Sequence, residues 1–380
     1  MYRKRRGDAL PPLAMPLVDR LPCLDGWRAV FCAAVLWSHF VRPGDAYGLL
    51  GVRCFFVLSA FLITCTLLSE AARTSGIDFR NYILRRGLRL LPVYVAFLLV
   101  LAVTQAWGAA DFSAADWMAA LTFTQSFLGD SGNEWSSFHL WSLSVELQFY
   151  LLWPVFFVLL APWLSLRRVA IWSVVLVAVA IGFRVAARVV ALSVSVDESV
   201  LERLFSQVSP FNYLDSLSLG ALAACLVFHF RPGLLKLPLW VAAVLAAVGA
   251  AMTVLPTEAR LAEIPSVALY LTGHTISSVG CALLLVVSVL WPRLWPFRVL
   301  NTAPLVLLGT ISYSVYIWQQ PFTETWLQSH STEVRLLAAL LAGALSYVLL
   351  EKPFSLLRTW LRLGARGAAP AVAVPAIGQV

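Results

Sequence analysis

Apolar residues in this chain come neither in strict alternation nor in narrow helical stripes. They form long unbroken runs, and the short stretches between them hold nearly all the charge. A helix needs roughly 17–25 mostly apolar residues to cross a bilayer. About ten runs approach that length: 24–41, 48–68, 90–107, 139–161, 169–190, 211–230, 239–255, 265–291, 304–319 and 334–350. In hydrocarbon every backbone N–H and C=O must be satisfied within the segment, so each run predicts a helix. The expected fold is all-α, a polytopic transmembrane bundle of about ten helices. The apolar stretch 117–128 is too short to cross and predicts an interfacial or re-entrant piece.

The charges between the runs test this division, because cytoplasmic loops of membrane proteins carry an excess of Lys and Arg. With the N-terminus inside, the cytoplasmic segments receive Arg3, Lys4, Arg5, Arg6, Arg20, Arg73, Arg80, Arg85, Arg86 and Arg89, and later Arg167, Arg168, Arg231, Lys236, Arg293, Arg298, Lys352 and Arg358. The outer segments receive Arg42, Arg203, Arg260 and Arg335 and are otherwise acidic, with Asp111, Asp116, Asp130, Glu134, Asp197 and Glu198 among them. A missed or invented helix would scramble this bias over half the chain. Both termini are therefore expected in the cytoplasm, with residues 1–20 as a retained tail, 21–355 as the membrane domain, and 356–380, rich in Ala, Pro and Gly, as a disordered tail.

Composition agrees. The chain is 60% hydrophobic and 13% charged, against about 45–50% and about 25% in soluble domains. Too little polar surface is available to cover a soluble enzyme of 380 residues. A net charge of +8 follows from topology and gives no reason to expect nucleic acid. The six cysteines form no CxxC pair, and no paired-His spacing suggests a metal.

Ionisable residues inside the runs are the informative remainder. A charge at mid-bilayer costs at least about 2.5–3.5 kcal/mol, so such residues face a wet or paired interior. Arg28 and His39 lie eleven positions apart in the first run. At 100° per residue that is about three turns plus about 20°, which puts both on one face, separated by a rise of about 16 Å. Glu146 in the fourth run reaches a depth near that of His39, where a carboxylate could orient the imidazole and stabilise its protonated form. Arg53, Arg184, Arg188 and Asp215 enter from the second, fifth and sixth runs. Substrate contact and counter-ion duty, Arg53 toward Glu146 included, both remain open for them. At the cytoplasmic end of the third run, Arg85, Arg86 and Arg89 form a guanidinium cluster suited to polyphosphate.

These residues sit in five ordered blocks: LDGWRAVFCAAVLWSHF, GVRCFFVLSAFLI, RRGLRLLPVYV, HLWSLSVELQFYLLWP and LGTISYSVYIW. Together they resemble the membrane-bound acyltransferase 3 family over roughly residues 20–355. The resemblance implies transfer of an acyl group, often acetyl, from acyl-CoA to a hydroxyl of a polysaccharide, lipid-linked glycan, peptidoglycan or macrolide. It implies catalytic roles for Arg28, His39 and Glu146. Acyl-CoA would be held at Arg85, Arg86 and Arg89, and acceptor contacts would come from Arg53, Arg184, Asp215, Tyr313 and Gln319. No permanently bound cofactor is expected; acyl-CoA is a donor substrate. The partners are acyl-CoA, the glycan acceptor and membrane lipid. Family members commonly carry an acidic residue where Arg53 stands, glycine where Ala60 stands, and histidine where Gln319 stands; the hydrolase-like domain that some members append is not expected. The mechanism implied is direct transfer with His39 as general base and Glu146 orienting it. The competing class is a transporter or flippase that uses the buried charges as a permeation path.

Topology is testable directly. Membrane-impermeant thiol labelling of intact cells should modify Ser131→Cys and spare Ser75→Cys; the reverse pattern would invert the bundle.

Overall fold

The computed structural model describes residues 21–74, 76–108, 111–128, 135–160, 166–193, 206–261, 267–357 and 372–373. The expected all-α bundle is what forms. In chain order the helices are α1 (Pro22–Leu36), α2 (Ala46–Thr74), α3 (Phe79–Ala106), α4 (Ala114–Thr122), α5 (Leu140–Leu160), α6 (Leu166–Ser193) and α7 (Leu214–Leu234). They continue with α8 (Leu239–Leu261), α9 (Val267–Leu290), α10 (Trp295–Leu300), α11 (Ala303–Gln319), α12 (Pro321–Glu324) and α13 (Thr332–Ser346). The strand content among the described residues is one antiparallel pair, Gly76–Ile77 with Val372–Ala373.

Eight of the ten expected spans are long and apolar enough to cross a membrane by themselves. The first and ninth are not. Helix α1 has 15 residues and includes Asp25 and Arg28; it continues as a π turn, Trp37–Val41, that carries His39. Helix α11 has 17 residues. The two compensate by lying against each other inside the bundle. A Cβ built on Gly309 would overlap the backbone carbonyl of Asp25, and one on Gly26 would overlap that of Leu300. With His39 bonded to Gln319 farther along, α1 and α11 run parallel, as the expected order of spans has the first and ninth.

Other boundaries also move. Helix α3 begins eleven residues before the expected 90–107 run, because Asp78 caps it by accepting from the Asn81 N–H at 2.9 Å. The basic block is therefore the first turns of a helix and not a loop before one. The 117–128 stretch becomes α4 followed by a 3-10 turn at Gln125–Phe127. At nine residues, α4 is about 14 Å long, which bears out that it cannot cross. A reciprocal cap between Ser113 and Asp116 starts it, and Phe123 in the left-handed region ends it.

The buried core has its centre on α2, whose membrane-crossing segment is far more enclosed than those of α6, α8 and α13. Those outer helices turn Val174, Leu239, Leu255 and Leu341 outward, as lipid-facing surfaces do. Ala60, where the family commonly has glycine, is fully buried, and the space it needs is left by Gly220, whose built Cβ would lie 3.0 Å from the Ala60 methyl. The small residue has moved across the helix pair.

Gly309→Leu should be strongly destabilising, because overpacking at a fixed backbone costs about 1–3 kcal/mol or more. Gly182→Ala in α6, where a Cβ meets nothing within 4 Å, should leave the melting temperature in detergent unchanged or slightly raised. Equal melting of the two variants would remove the α1–α11 contact from the foundations of the fold.

Candidate functional site

A cavity of about 70 Å³ lies between α1, α2, α3, α5 and α11. Three guanidiniums reach its wall: Arg28 from α1, and Arg86 and Arg89 from the first turns of α3. Facing them is one carboxylate, Glu146 of α5. Helical spacing explains the convergence. Ser142, Glu146 and Tyr150 follow at four-residue steps and share one face of α5, while Leu151 and Leu152 turn outward. On α11, Ser312, Tyr313 and Tyr316 form the matching face.

Each group is held differently. Arg28 Nη1 donates to Asp25 Oδ1 at 3.1 Å, one turn earlier. The Arg86 guanidinium lies 5.1 Å from the centre of the Tyr150 ring and 5.8 Å from that of Tyr82. Glu146 accepts from the Ser59 and Tyr150 hydroxyls. These neutral donors fix the carboxylate where it faces Arg28 across the cavity. Tyr313 lines the cavity but donates its own hydroxyl to the Leu90 carbonyl at 2.7 Å, tying α11 to α3.

The structure divides the arginine set expected for acyl-CoA. Arg86 and Arg89 reach the cavity. Arg85 instead pairs with Glu70 at 3.1 Å, and Glu70 also accepts the Asp78 N–H at 3.0 Å. Arg85 thus holds the α2–α3 connection, and Arg28 is the third guanidinium of the cavity.

His39 is partly exposed and stands outside the cavity wall. Its Nδ1 lies 2.7 Å from Gln319 Oε1. The expectation that Glu146 orients His39 is therefore corrected: that hydrogen bond goes to Gln319, and the carboxylate is held by Ser59 and Tyr150. Two causes act together. The π turn rotates His39 away from the regular continuation of the Arg28 face, and α11 approaches α1 so closely that Gln319 comes within reach. Tyr316 and Ser142 share the cavity wall with their hydroxyl oxygens 2.5 Å apart, and the Tyr316 ring packs 5.5 Å from His139.

Arg53, Arg184 and Asp215 come together, away from that cavity. Arg184 Nη2 binds Asp215 Oδ2 at 2.5 Å, and Arg53 Nη1 lies 3.9 Å from Asp215 Oδ1. Both arginines also donate to the Asn212 carbonyl, at 3.4 Å and 2.7 Å. Thr275 and the Ser216 N–H supply further donors to the carboxylate, and the Arg53 guanidinium sits 4.5 Å over the Tyr213 ring. Asp215 is fully buried and both arginines nearly so. The pairing of Arg53 with Glu146 that the sequence left open gives way to pairing with Asp215. These contacts bolt α2, α6 and α7 together. Arg188, one turn beyond Arg184, is exposed.

Sequence reasoning passed over Ser59, Ser142, Tyr150, Tyr316 and His139. The α5 pair was within reach, since residues four before and four after Glu146 share its face. His139, 2% exposed, opens the HLWSLSVEL block and packs its ring against Tyr316 and Phe97; no local pattern signals those contacts.

Comparison with known proteins gives a consistent result. The family model described as an acyltransferase domain, acyltransferase 3, matches residues 21–350. A Staphylococcus aureus (strain COL) protein that carries a provisional O-acetyltransferase name is 28% identical over 315 residues, covering 78% of this chain and 50% of that protein. The peptidoglycan O-acetyltransferase OatA of Listeria monocytogenes is 25% identical over 357 residues, covering 90% of this chain and 56% of its own length. The chain thus spans about half the length of these curated relatives. No solved structure matches.

Asp215→Asn should lower stability sharply, because removing one partner of a buried ion pair leaves an uncompensated charge at about 3–5 kcal/mol. Adding Arg184→Gln should restore part of the loss. Unchanged thermal melting of Asp215→Asn would return Asp215 to the substrate-contact reading.

Proposed function

Because the chain belongs to the acyltransferase 3 family, we propose that it transfers an acyl group, of acetyl size, from acyl-CoA to a hydroxyl of a carbohydrate-containing acceptor, working as a multi-pass protein of the cytoplasmic membrane. The observation that carries this reading is the convergence of Arg28, Arg86 and Arg89 on one cavity with Glu146, beside the helix that holds His39. The names of the Staphylococcus and Listeria relatives support acetyl as the group and a glycan as the acceptor.

The donor enters from the end where α3 begins, the arginine-rich and hence cytoplasmic side. Guanidiniums offer paired N–H donors that match phosphate oxygens, so Arg86 and Arg89 bind the phosphates of the acyl-CoA. Arg28, held by Asp25, presents N–H groups toward the thioester arm. Glu146 balances part of this positive charge, which lets the cavity accept an anion and release the thiol product afterwards. The thioester arm then extends past the residues that line the cavity toward His39, which stands outside its wall.

His39 then acts as general base. It takes the proton of the acceptor hydroxyl while that oxygen attacks the thioester carbonyl carbon. Collapse of the tetrahedral intermediate breaks the C–S bond, and the departing thiolate takes the proton back from the imidazolium. The new ester C–O bond stays on the acceptor, and the base is regenerated. His39 is partly exposed, as access by a bulky acceptor requires.

Two variants test this. His39→Ala should melt like the unaltered protein and lose about 10²–10⁴ in rate, read as acyl-CoA-dependent thiol release by purified protein with an acceptor sugar. Arg89→Gln should raise KM for acyl-CoA by about 10–100-fold, the worth of one or two charge-assisted hydrogen bonds, with a smaller change in kcat. Wild-type turnover in His39→Ala would end the base assignment.

A further inference from the structure

We infer that Gln319 is the positioning residue of His39: it holds the imidazole in the Nδ1–H tautomer, so that Nε2 carries the lone pair, and Gln320 fixes the direction of the Gln319 amide. This deepens the proposed role of His39 as base and rests on that reading.

The inference follows from which atoms face which. The 2.7 Å contact joins His39 Nδ1 to the Gln319 side-chain oxygen. An amide oxygen can only accept, so Nδ1 must be the donor, and in a neutral imidazole the other nitrogen is then unprotonated. The direction of the amide is set next door. Gln319 Nε2 donates to Gln320 Oε1 at 3.2 Å. Turning the Gln319 amide over by itself would set two carbonyl oxygens against each other. Gln319 is fully buried and Gln320 is 1% exposed, so bulk water does not pay for such a mismatch. Gln320 is anchored in turn, since its backbone carbonyl accepts from Thr323 Oγ1 at 2.6 Å. Among the described residues its Nε2 has no hydrogen-bond partner, and within them the pair forms a short polar chain that ends at Gln320.

The neighbours of His39 show what this arrangement does. An orienting carboxylate would add a negative charge beside the ring and favour imidazolium. Gln319 fixes the same geometry and adds none. The proton taken from the acceptor thus meets an orienting amide that adds no charge of its own to retain it, and it passes on to the leaving thiolate. The nitrogen left to take that proton is Nε2, which makes this chain selective for acceptors whose hydroxyl approaches the Nε2 edge.

The tautomer can be read without any turnover assay. With ¹⁵N-labelled histidine in the full-length protein, the His39 resonances are assigned by their loss in His39→Ala. They should show the Nδ1–H form in the unaltered protein and a mixture, or the Nε2–H form, in Gln319→Leu. A predominant Nε2–H form in the unaltered protein means that both amides are turned over and overturns the inference. In turnover, Gln319→Leu should lower kcat about 10–100-fold with little change in KM for acyl-CoA. Gln319→Glu should keep much of the activity while moving the acid limb of the kcat/KM profile to higher pH. Gln320→Leu should give an intermediate loss of kcat. If Gln319→Leu fails to fold, the Gln319→Glu pH profile and the Gln320→Leu tautomer still decide. An inactive His39→Ala with a fully active Gln319→Leu would sink the positioning role alone. A fully active His39→Ala would sink the base reading and leave the tautomer result standing.

Discussion

At Gly309 the backbone of one helix occupies the place where another residue would carry its side chain. The carbonyl of Asp25 fills that space, and this approach sets how α1 and α11 lie together. Small residues allow such contact in membranes, where packing and polar bonds must do what water expulsion does in soluble cores. Neither helix meets the length and hydropathy of a self-sufficient span, so each relies on the other. Their register delivers Arg28 to the cavity and His39 to Gln319. A shift of one residue along either helix would separate both pairs.

Around that seam the charges fall into two populations with opposite character. Asp215 is saturated: two guanidiniums, a threonine hydroxyl and a backbone N–H converge on it. Bonding this complete favours rigidity and leaves little capacity for a ligand. Glu146 is held by neutral hydroxyls, and two of the three guanidiniums near it are engaged, Arg28 by Asp25 and Arg86 by aromatic rings. Charge in the cavity is therefore positioned but not spent. The difference separates an architectural ion cluster from a site able to receive an anion, although both sit in the same bundle and both arise from rare charges in apolar runs.

The sequence made the helices legible because bilayer crossing imposes a length and a polarity that each run records locally. It also exposed Arg28, His39, Glu146 and the α3 arginines, since charges stand out in hydrocarbon. Partner choice was the illegible part. Arg53 had two candidate carboxylates, and only the packing of α2 on α7 selects Asp215. Gln319 registered as a departure from the family pattern, a residue unable to titrate, and its bond to His39 depends on a π turn that no periodicity announces. Arg85 and Arg86 are adjacent in sequence, yet a 100° turn of the helix sends one to Glu70 and the other to the cavity. Local pattern names the residues that matter; the arrangement of helices decides which of them meet.

The Asp215 cluster also constrains how the chain is made. Arg53 belongs to the second span, and 159 residues separate it from Asn212, whose carbonyl it holds. At roughly 5–20 residues per second, that separation is about ten to thirty seconds of synthesis. Throughout that interval the guanidinium lacks the carboxylate that will neutralise it, and lipid is a poor place to wait. Release of helix α2 into lipid before α6 and α7 emerge would leave that charge uncompensated. The cluster thus ties the burial of the central helix to the synthesis of helices far downstream, and damage to it would show as failed assembly.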